Sequence, residues 1–471
     1  MNQNDAPLLQ QTAALLTQFL DESEQTDRSI CDYHSAVDLR ELLVLHLPEE
    51  ACTEAEILDD IRQFLQYSVR TSHPHFMKQL YAGSRPAAIA GDWVTTVTNT
   101  AAHTYQVSPV ATLMEQQIID ALNKLIGFDN GDGIMVSGGS NANMIGVMCG
   151  LYQRWPALKQ QGFNGEKPVL YVSDQCHYSY EKGVFTLGIG TDNMRRVPTD
   201  ERFRMCPDAL RKQIQVDIAD GKQPFLIGAT AGTTVAGAFD PIDQLADIAQ
   251  EFGLWLHVDA AWGGPAVFSD QHKSLMQGVE RADSLTWDAH KFMSIPLICA
   301  AVLVREKGIL ESTCGGGGAK YLFHTDENSD YNFGQKSLQC GRHVDSLKIW
   351  LDWRSKGTHG YRRQVDHSME LVAFCAEYID AEPRFELLFK PDYLNVFFRY
   401  VPTTEISDEA ITALNLNILK TMKQDGSFYV DYSTLKGQFG IRLVISNDQI
   451  EQSHLEALFA EISRIGDQLS G

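Results

Sequence analysis

Hydrophobic residues recur at helical spacing along the first 70 residues of the chain. The apolar repeats predict helices in three stretches, residues 8–20, 36–46 and 53–69. Thr53 is a good N-cap for the third helix, and Glu56, three residues later, completes a capping box. The sequence therefore predicts a helical N-terminal segment over residues 1–70.

The pattern changes between residues 130 and 305, where short apolar runs alternate with helical stretches. The runs that predict strands are 134–136, 169–172, 225–229, 254–258, 284–287 and 298–304. Helices are predicted between them at 141–155, 207–221 and 240–253. Asp240 is expected to cap the last helix, with Pro241 at its first position and Gly253 at its end. Such alternation is typical of a parallel sheet in an α/β domain.

The last third of the chain has a different organisation. Residues 321–336 are polar and predict an exposed loop, and helical patterns return from about residue 345. Strand-like runs follow at 393–401 and 440–446. We therefore predict a large α/β domain over 71–345 and a small α+β domain over 346–471.

The net negative charge of the chain argues against two classes of binding partner. The chain has 471 residues and a formal net charge of −22, from 39 Lys and Arg against 61 Asp and Glu. Nucleic acids and anionic membrane surfaces are bound largely through Lys and Arg, so we expect neither as a partner. No stretch approaches the ~18–20 apolar residues of a membrane span, and the N-terminus does not resemble a signal peptide.

The nine cysteines are scattered along the chain and include no C-x-x-C pair. That distribution is typical of reduced thiols in a cytoplasmic protein. It also predicts no zinc site, and we expect no metal.

Two charged residues follow predicted strands of the α/β domain. Lys291 comes shortly after the run 284–287, and Asp259 stands at the end of the preceding run, 254–258. Alone, Lys291 would be read as a solvated lysine and Asp259 as a helix cap. Together they suggest pyridoxal phosphate (PLP), which needs a lysine amine for covalent attachment and a carboxylate for its ring nitrogen. Open α/β sheets bind ligands at this carboxyl edge.

Further polar residues follow neighbouring strands. Gly139 and Ser140 stand between a strand and a helix, where backbone N–H groups and the helix dipole favour a phosphate. An ordinary strand-to-helix turn would look the same. His177 and Thr234 also follow strands, and each could be a structural hydrogen bonder or a cofactor contact.

Seven segments in order carry a resemblance to a known family: HPHFMKQLYAG (73–83), HTYQVSPVATLMEQ (103–116), GDGIMVSGGSNANM (131–144), HVDAAWGG (257–264), DAHKFM (288–293), QCGRHVD (339–345) and GIRLVIS (440–446). The chain resembles the group II PLP-dependent amino acid decarboxylases, in particular the acidic branch that acts on glutamate, cysteine sulfinate or aspartate. The resemblance implies a fold-type I, aspartate aminotransferase-like architecture with a mostly parallel seven-stranded sheet. It also implies a homodimer with active sites at the interface, clasped by the N-terminal helices.

The resemblance assigns roles residue by residue. It implies that Lys291 holds PLP covalently, that Asp259 pairs with the ring nitrogen, and that His177 stacks over the ring and orients the substrate carboxylate. The other cofactor contacts that it implies are His290, Gly139 and Ser140 at the phosphate, Ala261 on the ring and Thr234 near the ring hydroxyl. Arg442 would bind a substrate carboxylate, although an arginine in an apolar strand is also typical of a buried ion pair.

The chain departs from the family at three places. The family's loop tyrosine, which returns a proton to the α-carbon, aligns with Ser329, so Tyr331 is the predicted substitute. Lys78 and the segment SRPAA (84–88) also differ from the family, and SRPAA is expected to alter the pocket wall.

Substrate preference is predicted from three residues. Arg442 and Gln79 favour a second acidic group on the substrate, and Tyr81 is bulky where the glutamate enzymes have a small residue. We therefore expect decarboxylation of aspartate to β-alanine or of cysteine sulfinate to hypotaurine, with glutamate to GABA left open. The alternatives are a 2,4-diaminobutyrate decarboxylase, another fold-type I enzyme such as an aminotransferase, and a non-catalytic cofactor-binding protein.

Overall fold

The computed structural model describes residues 6–316, 321–324 and 326–470. The chain divides into two compact units, one formed by residues 84–370 and 390–395 and the other by residues 1–83, 371–389 and 396–471. These bounds differ from the predicted divisions at residues 70 and 345. The dimerisation role of residues 1–70 stays a prediction.

The strands of the described chain are β1 (Asp132–Val136), β2 (Pro168–Ser173), β3 (Met194–Val197), β4 (Gln223–Thr230), β5 (Trp255–Asp259), β6 (Ser284–Asp288), β7 (Ala300–Val304), β8 (Phe385–Leu387), β9 (Asn395–Tyr400), β10 (Asp431–Leu435) and β11 (Gln438–Val444). The α-helices of the described chain are α1 (Ala6–Ser23), α2 (Ala36–Leu42), α3 (Glu54–Tyr67), α4 (Pro86–Thr98), α5 (Pro109–Ile126), α6 (Gly139–Arg154), α7 (Leu158–Gln161), α8 (Ser179–Thr186), α9 (Pro207–Ala219), α10 (Ile242–Phe252), α11 (Ile309–Cys314), α12 (Ser346–Ala381), α13 (Asp408–Asp425) and α14 (Gln452–Ser470).

The larger unit is built on a seven-stranded sheet in the order β1-β7-β6-β5-β4-β2-β3. Strands β6, β5, β4, β2 and β3 pair in parallel, and β7 runs antiparallel to both of its neighbours. The predicted mostly parallel seven-stranded sheet is therefore confirmed. Five of its strands, β1, β2, β5, β6 and β7, are buried at every position, as expected for a sheet covered on both faces.

Sequence patterning missed one strand of this sheet, β3, and two of the smaller sheet, β8 and β10. The sequence of β3 is MRRV, in which two arginines interrupt the apolar pattern at the edge of the sheet. The guanidinium of Arg195 is paired with Asp217, with Nη2 2.7 Å from Oδ1. Because that ion pair is formed with a residue of α9, the strand becomes recognisable only in the folded chain.

The predicted N-cap of α10 is wrong. The helix begins at Ile242 with Pro241 as N-cap, and Gly253 ends it in the left-handed conformation as expected. The Asp240 carboxylate instead accepts hydrogen bonds from the backbone N–H groups of Met205 (2.6 Å) and Thr230 (2.7 Å). Distant backbone donors therefore take the side chain that local capping rules assigned to the helix.

The smaller unit contains the sheet β10-β11-β9-β8, in which β10 is antiparallel to β11 and β8 to β9. Helices α1 to α3 belong to this unit. The predicted capping box of α3 is confirmed, since Thr53 Oγ1 accepts from the Glu56 N–H and the Glu56 carboxylate accepts from the Thr53 N–H. Among the described residues no helix combines the length and apolar character needed to cross a membrane.

Candidate active site

The predicted cofactor residues of the larger unit follow strands that end at one edge of its sheet. The register pairs Thr230 with Asp259 and Asp259 with Thr286, and Val136 and Asp288 both pair with Ala300. The carboxyl ends of β1, β4, β5 and β6 are therefore side by side. This is the edge where open α/β sheets bind ligands.

Lys291 lies in the turn that follows β6. Its Nζ atom lies 3.3 Å from Asp288 Oδ2, and the Lys291 side chain remains 21% exposed beside an almost completely buried carboxylate. Asp288 Oδ1 is buried and has no hydrogen-bond partner among the residues that the structure describes. His290 is also buried, with Nε2 3.7 Å from Asp288 Oδ2 and Nδ1 2.9 Å from the Cys299 carbonyl oxygen. The lysine amine is thus partly exposed in the turn that follows a fully buried strand.

Asp259 ends β5 and is buried. Its Oδ1 accepts a hydrogen bond from the backbone N–H of Ala261 (3.2 Å), and its Oδ2 accepts one from Asn143 Nδ2 (2.7 Å). Two donors therefore hold the carboxylate in one orientation.

His177 follows β2 and is half-buried. Its Nδ1 accepts a hydrogen bond from the Ser179 N–H at 3.3 Å. Burial lowers the pKa of His177, while the charge of Asp259 opposes that change and the charge of Lys291 adds to it. The charge of Asp288, like that of Asp259, raises the pKa of His177.

The predicted phosphate turn lies between β1 and α6. Gly138 has φ of 124°, a conformation that favours glycine, and α6 begins at Gly139. A Cβ atom on Gly139 would lie 2.6 Å from Asp288 Oδ2, so the turn approaches the Lys291 segment closely. Ser140 is exposed in the first turn of α6. The turn thus presents a helix N-terminus and a hydroxyl beside the lysine.

Thr234 lies after β4, and its carbonyl oxygen accepts a hydrogen bond from Asn395 Nδ2 at 3.1 Å. The same Asn395 accepts from Trp262 Nε1 at 2.8 Å. Thr233 Oγ1 accepts from the Ala238 N–H and closes the turn. These bonds fix the segment that contains Thr234.

The predicted substrate residues belong to the smaller unit. Arg442 Nη2 lies 2.9 Å from the Lys78 carbonyl oxygen and 3.2 Å from Asp431 Oδ2. Lys78 Nζ lies 3.0 Å from Asp431 Oδ1. Arg442 thus takes part in the buried ion pair that its strand position indicated, and its predicted contact with substrate stays a prediction. Gln79 accepts from Ser446 Oγ through its carbonyl oxygen, and the half-buried Tyr81 ring lies 6.4 Å from Phe76.

The predicted loop residues lie near the start of β1. Tyr331 packs against Tyr105 (ring centroids 5.7 Å apart) and lines a cavity of about 580 Å³ with Asp132 and Lys336. Ser329 instead closes a turn, because its Oγ donates to the Asp326 carbonyl oxygen at 2.7 Å. Within its own chain Tyr331 is therefore at the opposite sheet edge from Lys291.

Arg85, in the unusual SRPAA segment, forms an ion pair within the larger unit. Its Nε lies 3.1 Å from the buried Asp352 Oδ1, and Pro86 begins α4. The predicted effect of this segment on a pocket wall stays a prediction.

The residues at the carboxyl edge fit PLP. An accessible lysine amine, a buried carboxylate held by two donors and a helix N-terminus after a glycine turn occur together. The buried Asp288 Oδ1 and Asn141 Oδ1 have no hydrogen-bond partner in the described chain, as expected where a polar group has still to bind.

Sequence reasoning missed Asn143, which contacts Asp259 directly. It lies in the quoted segment GDGIMVSGGSNANM, four residues after Gly139 on α6. A residue one helical turn after the predicted phosphate-binding Gly139 lies on the same face of the helix, and that spacing was the available signal. It did not distinguish Asn143 from a surface asparagine.

Comparison with known proteins gives a consistent result. The model of the pyridoxal-dependent decarboxylase conserved domain matches residues 37–401. Human cysteine sulfinic acid decarboxylase is 39% identical over 454 residues, which cover 94% of this chain and 92% of that protein. Drosophila melanogaster glutamate decarboxylase is 38% identical over 470 residues, covering 97% and 92%.

A solved structure agrees with these sequences. The crystal structure of mouse CSAD superposes with a TM-score of 0.96 at 34% identity, covering 99% of each chain. The similarity in sequence and in fold extends over nearly the whole chain, including the sheet edge that fits PLP. The chain therefore belongs to the pyridoxal-dependent decarboxylase family.

Proposed function

We propose that this protein is a PLP-dependent carboxy-lyase that removes the α-carboxylate of a small acidic L-amino acid. The observation that carries the proposal is that Lys291 and Asp259 lie at the same edge of the sheet, in a chain similar over nearly its whole length to decarboxylases of acidic amino acids.

The site residues bind the cofactor and orient the substrate. Lys291 binds the cofactor through Nζ, Asp259 accepts the hydrogen bond of the ring nitrogen, and Ala261 packs on the ring. His177 covers the opposite ring face and orients the substrate carboxylate. The remaining contacts are His290, Gly139 and Ser140 at the phosphate and Thr234 at the ring hydroxyl. When bound, PLP withdraws the electrons of the bond that breaks as carbon dioxide leaves.

The substrate carries a second acidic group in this proposal. Arg442 supplies a guanidinium that can bind a carboxylate or sulfinate, with Gln79 as a further polar contact. Tyr81 adds bulk that favours aspartate or cysteine sulfinate over glutamate. Support comes from relatives named for cysteine sulfinate and for glutamate, at 39% and 38% identity.

Tyr331 returns the proton to the α-carbon of the substrate bound in the partner subunit of a homodimer. This is supported by its distance from the Lys291 edge of its own sheet. Apolar side chains on and between α4 and α5 also remain exposed, among them Val97 (77%) and Val110 (62%), beside an apolar cavity of about 350 Å³. A second copy of the chain would cover them. Size-exclusion chromatography with light scattering should give the molar mass of a dimer. An active protein with the molar mass of a monomer would contradict the proposal.

We also propose a cytoplasmic location. None of the nine cysteines, all within the described ranges, forms a disulfide. That is the state expected in a reducing compartment.

Product formation tests the proposed reaction. Purified protein loaded with PLP should release carbon dioxide and amine from L-aspartate or L-cysteine sulfinate faster than from L-glutamate, and not from L-2,4-diaminobutyrate. Lys291→Ala should abolish release, whereas Lys182→Ala, which removes an exposed lysine of α8, should retain it. Amine transfer without carbon dioxide would indicate an aminotransferase and contradict the proposal.

A further inference from the structure

Five buried side chains form a continuous chain of hydrogen bonds that ends at Asp259. Trp255 Nε1 lies 2.8 Å from Ser284 Oγ, which lies 2.7 Å from His257 Nδ1. His257 Nε2 lies 3.0 Å from Asn143 Oδ1. Asn143 Nδ2 lies 2.7 Å from Asp259 Oδ2. None of the five residues is more than 8% exposed, so water does not compete for these bonds.

The chemistry of the groups determines the direction of every bond. The indole N–H of Trp255 can only donate, and the Asp259 carboxylate accepts, so the Asn143 amide turns its nitrogen to Asp259 and its oxygen to His257. His257 Nε2 must then carry a hydrogen, and Nδ1 accepts from the Ser284 hydroxyl. All four bonds therefore donate towards Asp259. We name these residues the donor chain.

The surrounding packing keeps His257 neutral and in place. Burial lowers the pKa of His257 to about 4, so the imidazole has one hydrogen and one acceptor at neutral pH. A Cβ atom on Gly146 of α6 would collide with the imidazole ring, so glycine is required for this close approach. Thr286 Oγ1 also donates to Asn143 Oδ1 at 2.6 Å and holds the amide from a second side.

We propose that Asn143 and His257 are positioning residues that act through Asp259 on the ring nitrogen of the cofactor. The proposal rests on the proposed pairing of Asp259 with PLP. Hydrogen bonds aligned in one direction polarise one another, and each stabilises negative charge on the final acceptor. Asp259 and the ring nitrogen share one proton, and the donor chain favours the state in which the ring nitrogen, rather than the Asp259 carboxylate, holds it.

Two substitutions of His257 separate this role from a purely structural one. His257→Gln can keep the chain, because the amide nitrogen donates to Asn143 and the amide oxygen accepts from Ser284. His257→Leu has similar bulk and no polar atom. We would load each variant with PLP labelled with ¹⁵N in the ring and measure the ring nitrogen shift and the cofactor dissociation constant.

The donor chain predicts different outcomes for the two variants. His257→Leu should weaken cofactor binding by about tenfold, because Asn143 Oδ1 loses the donor that orients the Asn143 amide towards the charged Asp259 carboxylate, and should move the nitrogen signal towards the unprotonated value. His257→Gln should keep the wild-type signal and bind within about threefold of wild type. If His257→Leu retains the wild-type signal and affinity, or His257→Gln loses both, the proposal is overturned.

Three controls keep the test decisive. Val258→Ala truncates a fully buried neighbour on β5 that is not part of the donor chain, and should lower thermal stability without moving the nitrogen signal. If His257→Leu does not fold, Ser284→Ala removes only one hydroxyl and should shift the signal in the same direction. Asp259→Asn separates the proposals, because an unchanged signal there refutes the pairing of Asp259 with PLP itself.

Discussion

Complementation between two impaired variants tests whether Tyr331 serves the site of the partner subunit. Tyr331 lines a cavity beside Asp132, at the start of β1. Val136, at the other end of β1, is in register through Ala300 with Asp288, next to Lys291. The four residue steps of β1 span about 13 Å, which exceeds the length of a tyrosine side chain. Tyr331 should therefore act in trans.

The size of the effect follows from dimer symmetry. A dimer of Lys291→Ala chains has no site that can hold the cofactor covalently, and a dimer of Tyr331→Phe chains has slow sites. A hybrid dimer has one complete site only if Tyr331 reaches across the interface. Random mixing makes about half of the dimers hybrids, so activity should recover to about a quarter of wild type.

The assay uses coexpressed chains with two different affinity tags. Hybrid dimers purified through both tags should release carbon dioxide at about half the wild-type rate. Tyr321→Phe, a substitution of an exposed tyrosine in the same segment, is the matched control and should behave as wild type. Hybrid dimers with no more activity than the two parent variants would refute action in trans.

Three further predictions concern charge. Arg342→Met leaves Glu115 buried without its guanidinium and should cost about 3–5 kcal/mol in urea unfolding; adding Glu115→Gln should recover most of it, and no recovery would contradict the pairing. Burial lowers the pKa of His257 from 6.5 to about 4, so the unfolded chain takes up a proton at this residue before the folded chain does. This difference contributes about 3 kcal/mol to the free energy of unfolding above pH 6.5, and the contribution is lost as the pH falls towards 4. His257→Gln should flatten that pH dependence of unfolding, and an equally steep loss would argue against it. Asp431→Asn removes a carboxylate 3.2 Å from Arg442 and should lower the KM for acidic substrates by up to about fivefold in steady-state assays; a higher KM would count against Arg442 as the substrate contact.

Much of the fold was predictable because its signals are local. Six of the seven strands of the large sheet appear in the sequence as apolar runs, since strands buried on both faces must be apolar along their length. The capping box of α3 was equally readable, because Thr53 and Glu56 satisfy each other within one turn. Lys291 and Asp259 were found for a related reason, as charged residues at the ends of apolar strands.

What only the tertiary structure decided depends on partners distant in sequence. Asp240 was assigned to its own helix by local rules, yet Met205 and Thr230 supply its donors. Asn143 gave no separate signal, although it bonds to Asp259, 116 residues further along the chain. The sequence by itself therefore determined the apolar strands of the large sheet and the charged residues that follow them, but not β3, β8 or β10. The orientation of those charges depends on hydrogen bonds between α6, β5 and β6, which exist only once the helix has packed on the sheet.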